Sequence, residues 1–179
     1  MAEPTVYDFT SDQLEMRRIY ELRTAALVGR EFHTERLERI RMLLYWLEAI
    51  STVTASGAFV ALAFWKTQIG SASLEWLVFV VAVATIARSS FRLSDLADQH
   101  ARLAYSWKEI FMDLDHAAIT ARRVGRLTEK MRAELDFLTL RFQRVEAMDD
   151  IRGNPKKLAA LQVKAENQLQ PEKQWLPAS

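Results

Sequence analysis

The sequence predicts an all-α protein, in which a membrane hairpin of two transmembrane helices is continuous with long cytoplasmic coiled-coil helices. Three observations predict this class. The 179 residues include only 5 glycines and 4 prolines, and no proline lies between residues 5 and 154 to interrupt a helix. Two runs in the middle of the chain are almost wholly apolar. On both sides of them, apolar residues recur in steps of three and four, the spacing of one helix face.

Composition excludes several classes of function. The 24 Lys and Arg residues nearly balance 23 Asp and Glu residues, so the surplus of positive charge that binds nucleic acid is missing and no direct nucleic-acid partner is expected. Without any cysteine, the chain has no disulfide, no thiolate metal site and no cysteine nucleophile. The acidic first 15 residues do not read as a secretory signal peptide.

The first predicted element is an amphipathic helix over residues 11–41, after a disordered stretch at 1–10. Its start is indicated by the capping cluster Thr10, Ser11 and Asp12, with Glu15 three residues after Asp12. Apolar or small residues then recur in steps of three and four, namely Ile19, Leu22, Ala26, Gly29, His33, Leu37, Ile40 and Leu44.

Two spans and a short loop follow, at residues 42–65, 66–75 and 76–93. A bilayer core roughly 30 Å thick needs about 20 apolar residues, and Glu48 is the only charged residue in the first run. The second run reaches this length only when it includes flanking residues such as Arg88. Membrane lipid is therefore an expected partner.

The residues at the ends of the two runs predict an orientation. Tryptophans 46, 65 and 76 lie near the ends, as in the aromatic belts at lipid headgroup level. Five arginines, at positions 36, 39, 41, 88 and 92, flank the outer ends, whereas the loop carries only Lys66. By the positive-inside rule we expect both termini in the cytoplasm and the hairpin in the bacterial inner membrane.

Within the hairpin, two sets of residues are candidates for function. The small residues Ala55, Ser56, Gly57 and Ala58 favour close helix packing inside a membrane. Glu48 and Arg88 are charges within the runs, towards the open end of the hairpin. They are interpreted either as a polar lining or gate, or as interfacial charges that end each span.

A long coiled-coil helix is predicted over residues 94–152. Its seam has apolar residues seven apart, at Leu96, Leu103, Ile110, Ala117, Val124, Met131, Leu138 and Val145. A companion line contains His100, Trp107, Leu114, Leu135 and Phe142. The two cytoplasmic stripes can pair antiparallel, but beyond about residue 125 the longer one must pack on another copy, on another protein, or fold back. A homo-oligomer is expected.

Small residues between Ala117 and Gly125 form the weak point of this helix, where a bend is easiest. Gly153, Asn154 and Pro155 are typical of a helix end. Residues 153–179 are expected to form one short helix over 156–168 and a flexible tail.

Few patterns indicate chemistry. Asp113 and His116 have the spacing of metal ligands on a helix, but a solvated polar face explains them better than a metal site. The basic group Arg122, Arg123, Arg126 and Lys130 fits an acidic partner, a nucleotide phosphate or simply a solvated face. His33 and His100 lie on the apolar stripes, either as hydrogen-bonded residues that set register or as a proton-sensitive switch. We expect no enzyme activity, cofactor or metal.

The order of these elements resembles the SLATT domains, the two-transmembrane effectors associated with bacterial nucleotide-signalling and other defence cassettes. The resemblance is carried by LRTAALVGREFHTERLERIRMLLYWLEAIS, by ARSSFRLSDLADQHARLAYSWKEI and by AAITARRV, within about residues 15–145. It implies an effector that assembles in the inner membrane and permeabilises it when a cytoplasmic sensor or a nucleotide synthase encoded nearby signals infection. The alternative is a membrane-anchored coiled-coil scaffold without pore activity.

Overall fold

The computed structural model describes residues 11–55, 76, 79, 83, 86, 92–149 and 155–169. All secondary structure in these residues is helical, which confirms the all-α class. The helices are α1 (Ser11–Ala55), α2 (Leu93–Val124), α3 (Glu129–Met148) and α4 (Pro155–Gln168). No helix within the described residues combines the length and the apolar character needed to cross a membrane. The predicted loop at 66–75 and most of the predicted span at 76–93 lie outside these residues.

The chain forms two compact units. Unit 1 consists of residues 1–34 and 102–179, and unit 2 of residues 35–101. The first helix is described from Ser11, and it continues past the predicted boundary at residue 41 to Ala55. Helix α1 therefore contributes its first half to unit 1 and its second half to unit 2.

In unit 1, α1 and α2 run antiparallel, as the two apolar stripes predict. Gly29 lies against Trp107, and Arg23 forms an ion pair with Asp115. Near the other end, the backbone N–H of Leu127 donates to Asp12 at 3.2 Å. The core between these helices contains fully buried side chains from both stripes, including Ile19, Ala26, Ile110 and Leu114.

The prediction of one continuous helix over 94–152 is wrong, because the chain turns at Gly125. This glycine has φ of 74°, a left-handed conformation that is costly for residues with a Cβ, and its N–H donates to the Ala121 carbonyl at 2.9 Å. The next helix starts after Thr128, whose side chain accepts a hydrogen bond from the Met131 N–H.

The fold-back has a physical reason. Asp12, at the start of α1, already contacts Leu127, so residues beyond 127 have no further stretch of α1 to cover them. By reversing direction, α3 buries Leu135, Leu138, Phe142 and Val145 in the same core as α1 and α2. The stripe is thus covered by its own chain, one of the three outcomes that the sequence left open.

The continuity predicted between the second span and the long helix is also interrupted. Arg92 has φ of 40°, in the left-handed region, and α2 starts at Leu93. A residue with a Cβ pays about 1–2 kcal/mol in this conformation. The backbone of Arg92 is therefore not helical, and α2 does not extend through this residue.

The short helix predicted near the C-terminus is confirmed as α4. It packs on α1 through a second apolar cluster, in which Ala165 and Leu169 are buried with Leu27. Lys164 forms an ion pair with Glu31 at 2.8 Å, and these contacts hold α4 against α1 within unit 1. The predicted flexible tail from residue 171 lies outside the described residues.

Candidate functional site

In unit 2, the second half of α1 exposes large apolar side chains. Met42, Leu43, Tyr45 and Trp46 are all exposed, and Trp46 keeps 59% of its surface accessible. Of this stretch, only Leu47 is buried. Large exposed apolar patches on proteins often mark interaction surfaces.

The described residues of the second apolar run behave in the same way. Trp76, Phe79, Val83 and Ile86 are helical and exposed. In an α-helix, a spacing of three, four and three residues corresponds to one face. The rings of Trp76 and Phe79 meet edge to face with centroids 5.8 Å apart. We call these four residues and the four exposed residues of α1 the apolar surface of unit 2.

The small residues predicted to pack inside a membrane fall at the edge of the described part. Ala55 is the last residue of α1, whereas Ser56, Gly57 and Ala58 lie outside the described residues. Of the two predicted intramembrane charges, Glu48 is an exposed residue of α1, and Arg88 lies outside the described residues.

The four predicted seam residues have different environments. Ile110 and Leu138 are buried in the core of unit 1, and Leu103 packs against that core from its edge. Leu96, in unit 2, is exposed. In unit 1 the seam therefore lies inside a bundle of helices from one chain.

A buried polar contact of unit 1 is formed by the carboxylate of Asp149, the residue after α3. Its side chain is only 2% exposed. Oδ2 accepts a hydrogen bond from the Trp107 indole N–H at 2.8 Å and lies 2.8 Å from Nε2 of His33. Asp149 thus links α1, α2 and the end of α3.

This arrangement places His33 in a defined polar contact, in agreement with the interpretation of a hydrogen-bonded stripe residue. The His33 side chain is as buried as that of Asp149. His100 is also buried, but it belongs to unit 2.

Gly29 provides the room for Trp107. A Cβ at position 29 would lie 2.8–2.9 Å from three atoms of the indole ring, closer than side chains tolerate. On another side of the indole, the Phe142 ring packs edge to face with its centroid 5.1 Å away. Packing against Gly29 and Phe142 therefore positions the indole ring. In this position the indole N–H donates to Asp149.

A second polar group is built around Arg23, which is buried on α1. It pairs with Asp115, and its guanidinium lies 5.7 Å from the centroid of the Phe111 ring. Burial lowers the pKa of Arg23, and the negative charge of Asp115 opposes this shift. The pKa of Arg122 is lowered as well, by burial and by the nearby charge of Arg23.

The basic group predicted at the end of α2 is therefore divided. Arg122 is half-buried and lies near Arg23 and Asp115, whereas Arg123, Arg126 and Lys130 are exposed. The four basic side chains therefore do not share one environment.

The metal-ligand spacing of Asp113 and His116 does not form a metal site in the described residues, where no group of three or more possible ligands is present. Asp113 instead accepts a hydrogen bond from Arg141 at 2.7 Å. Arg141 also binds Glu109 at 2.5 Å, so both carboxylates join α2 to α3.

A cleft of about 490 Å³ lies beside Asp149, with walls from α1, α2, α3 and α4. Aromatic side chains of Tyr20, Trp107 and Phe142 line it together with the carboxylates of Glu21, Glu146 and Asp149. This size is typical of small-molecule sites, but the buried carboxylate of Asp149 already serves Trp107 and His33.

Sequence reasoning missed Asp149, Arg23 and the Gly29–Trp107 contact. Asp149 is one of several acidic residues near a helix end, and only the return of α3 brings it to Trp107. A glycine opposite a tryptophan on facing stripes was a usable signal for close helix approach.

Comparison with known proteins found no matching family model, no matching curated protein and no matching solved structure. The resemblance to SLATT domains thus stays a prediction based on the order of elements.

Proposed function

We propose that this chain is a membrane effector of a bacterial anti-phage defence system, which oligomerises in the inner membrane and permeabilises it when a cytoplasmic sensor or nucleotide signal triggers it. The observation that carries the proposal is the apolar surface of unit 2. Its eight large side chains are exposed although they lie in the two most apolar runs of the sequence.

Lipid is the environment that suits this surface. Covering an exposed apolar side chain contributes about 1.5–3 kcal/mol, so insertion of eight of them is favourable by on the order of 10 kcal/mol. Tyr45, Trp46 and Trp76 are aromatic residues of the kind found at membrane interfaces.

Two hydroxyl groups of α1 near this surface are compatible with an apolar environment. The hydroxyl of Ser51 donates to the Leu47 carbonyl, and that of Thr52 donates to the Glu48 carbonyl, both at 2.9 Å. Hydroxyl groups that bond their own helix in this way bring no unsatisfied donor into lipid.

The proposed mechanism is a shift between two assemblies. A partner holds the protein as a monomer or small oligomer. The infection signal favours a larger oligomer whose spans leave an opening through the membrane. The small residues at 55–58 support span-to-span packing. In this proposal function lies in assembly, with no enzymatic step and no cofactor.

The second candidate is a membrane-anchored scaffold without pore activity. It is favoured by unit 1, which has a core of its own. Dye-reported membrane potential in cells that overexpress the protein with its neighbouring genes separates the two. Depolarisation supports the effector, and an unchanged potential under every trigger supports the scaffold.

Membrane insertion is tested by fractionation followed by alkaline carbonate. We expect the native chain to stay in the membrane pellet. The double variant Trp46→Glu with Phe79→Glu should appear in the soluble fraction. The matched control is Phe137→Glu with Leu140→Glu, two exposed apolar residues of unit 1, which leaves the protein in the pellet. Recovery of the native chain as a stable monomer without detergent contradicts the proposal.

A further inference from the structure

Within unit 1, the solvent-facing side of α2 carries a second apolar stripe. Tyr105, Met112 and Ile119 are seven residues apart and are exposed by 62%, 57% and 45% of their surface. They lie opposite Ile110 and Leu114, which face the core. A seven-residue repeat keeps one line of side chains towards a neighbouring helix, and here no described helix occupies that place.

The charges along this stripe that form no ion pair are all positive. Arg102, Lys108 and Arg123 are exposed between or beside the three apolar residues, and none forms an ion pair with a described residue.

The carboxylates of the same helix segment are already used inside unit 1. Glu109 and Asp113 bind Arg141, and Asp115 binds Arg23. A partner that approaches this side of α2 therefore meets apolar groups and uncompensated positive charge.

We infer that the Tyr105–Met112–Ile119 face of α2 docks an acidic amphipathic helix of a partner protein. The heptad spacing fits apolar side chains repeated every seven residues on the partner. Asp or Glu residues beside them would meet Lys108 and Arg123, which sets both orientation and specificity.

Two other occupants fit the face less well. A second copy that pairs through the same face brings cations opposite cations, which is unfavourable. A lipid surface needs a broad apolar face with charges confined to the other side, whereas here Lys108 interrupts the apolar stripe itself.

This inference rests on unit 1 alone and holds whether or not the chain spans a membrane. The test uses the full chain in neutral detergent and a synthetic peptide probe of about three heptads, with leucine on the seam and glutamate beside it. Fluorescence anisotropy of the labelled peptide gives the Kd. We expect the double variant Lys108→Glu with Arg123→Glu to raise the Kd about tenfold.

The control is Lys130→Glu with Arg144→Glu, which reverses two exposed cations on α3 and leaves the Kd unchanged. A peptide with lysine in place of glutamate binds the Lys108→Glu, Arg123→Glu variant better than the native chain. Equal binding of both peptides to the native chain overturns the inference, and so does an equal loss in the α3 control. Binding of short-chain phosphatidylglycerol that depends on Lys108 and Arg123, without binding of the acidic peptide, assigns the face to lipid instead.

Discussion

The indole N–H of Trp107 donates to Oδ2 of Asp149 at 2.8 Å, which joins the middle of α2 to the residue that ends α3. His33 of α1 contacts the same oxygen. This carboxylate is almost completely buried, so removing it leaves two buried polar groups with a desolvation cost. One side chain therefore holds three helices of unit 1 in register.

Asp149→Ala should destabilise the protein by about 2–4 kcal/mol, since it leaves two buried polar groups without their acceptor. Chemical denaturation followed by circular dichroism measures this change. Asp136→Ala is the matched control, because its side chain is 72% exposed and its ion pair with Arg18 is 3.6 Å long. We expect the control to change stability by less than about 1 kcal/mol, and equal effects would show that the Asp149 contacts contribute little.

Gly29→Ala should also destabilise the protein, by about 1–3 kcal/mol, because the added Cβ meets the indole of Trp107. The sign is informative, since replacing a mid-helix glycine by alanine normally stabilises a helix by about 1 kcal/mol. A double-mutant cycle with Trp107→Phe tests the cause. Additive effects of the two substitutions would contradict the proposed contact.

The reversal of the chain at Gly125 depends on its positive φ. Gly125→Val should therefore cost more stability than Gly125→Asn, because asparagine tolerates the left-handed conformation and a β-branched residue does not. No neighbouring atom lies within 4 Å of a Cβ at this position, so crowding does not explain the difference. Thermal denaturation of the two variants measures it, and equal melting temperatures would contradict this role of the backbone.

Acid should weaken the contact between α1 and the connection from α2 to α3. Hydrogen bonds from the Arg132 side chain and from the Leu127 N–H lower the pKa of Asp12 from its ordinary value of 3.8. A lowered folded-state pKa means that the contribution to stability is present above pH 3.8 and is lost as the pH falls through the folded-state value. In Asp12→Asn, the free energy of unfolding should depend less on pH across this range. An unchanged slope of the free energy of unfolding against pH would contradict the assignment.

The effector proposal predicts that Gly57→Leu abolishes depolarisation and leaves insertion intact. Leucine is favourable in lipid but blocks close approach of helices at a small-residue patch. Membrane potential and carbonate resistance are measured on the same cells. Val60→Leu, in the same apolar run, is the control that should keep activity. Depolarisation by the Gly57→Leu protein at the native level would exclude packing through this patch.

The apolar lines of the sequence contain most of the side chains that are buried on α2 and α3 in unit 1, although Val124 on the seam is exposed. Trp107, Ile110, Leu114, Leu135 and Phe142 all lie on the predicted lines and are buried. The spacing predicts that one face of the helix is buried, but it does not identify the segment that packs on that face. The partner beyond residue 125 is the chain's own α3, which follows from the backbone at Gly125 and from the limited length of α1.

The polar contacts of unit 1 could not be predicted, because they join residues far apart in sequence. Asp149 reaches His33 across 116 positions and Trp107 across 42. Only the fold-back fixes which carboxylate meets which donor. The seven-residue spacing of Tyr105, Met112 and Ile119 is visible in the sequence. It was missed because the two apolar lines on the same helix are longer and more regular.

The space shared by Gly29 and Trp107 also restricts how this protein can change in evolution. The two positions divide one volume, so a larger residue at 29 is acceptable only together with a smaller ring at 107. A smaller ring without the indole N–H would in turn leave Asp149 without that donor. In related sequences, we therefore expect positions 29, 107 and 149 to vary together and not one at a time.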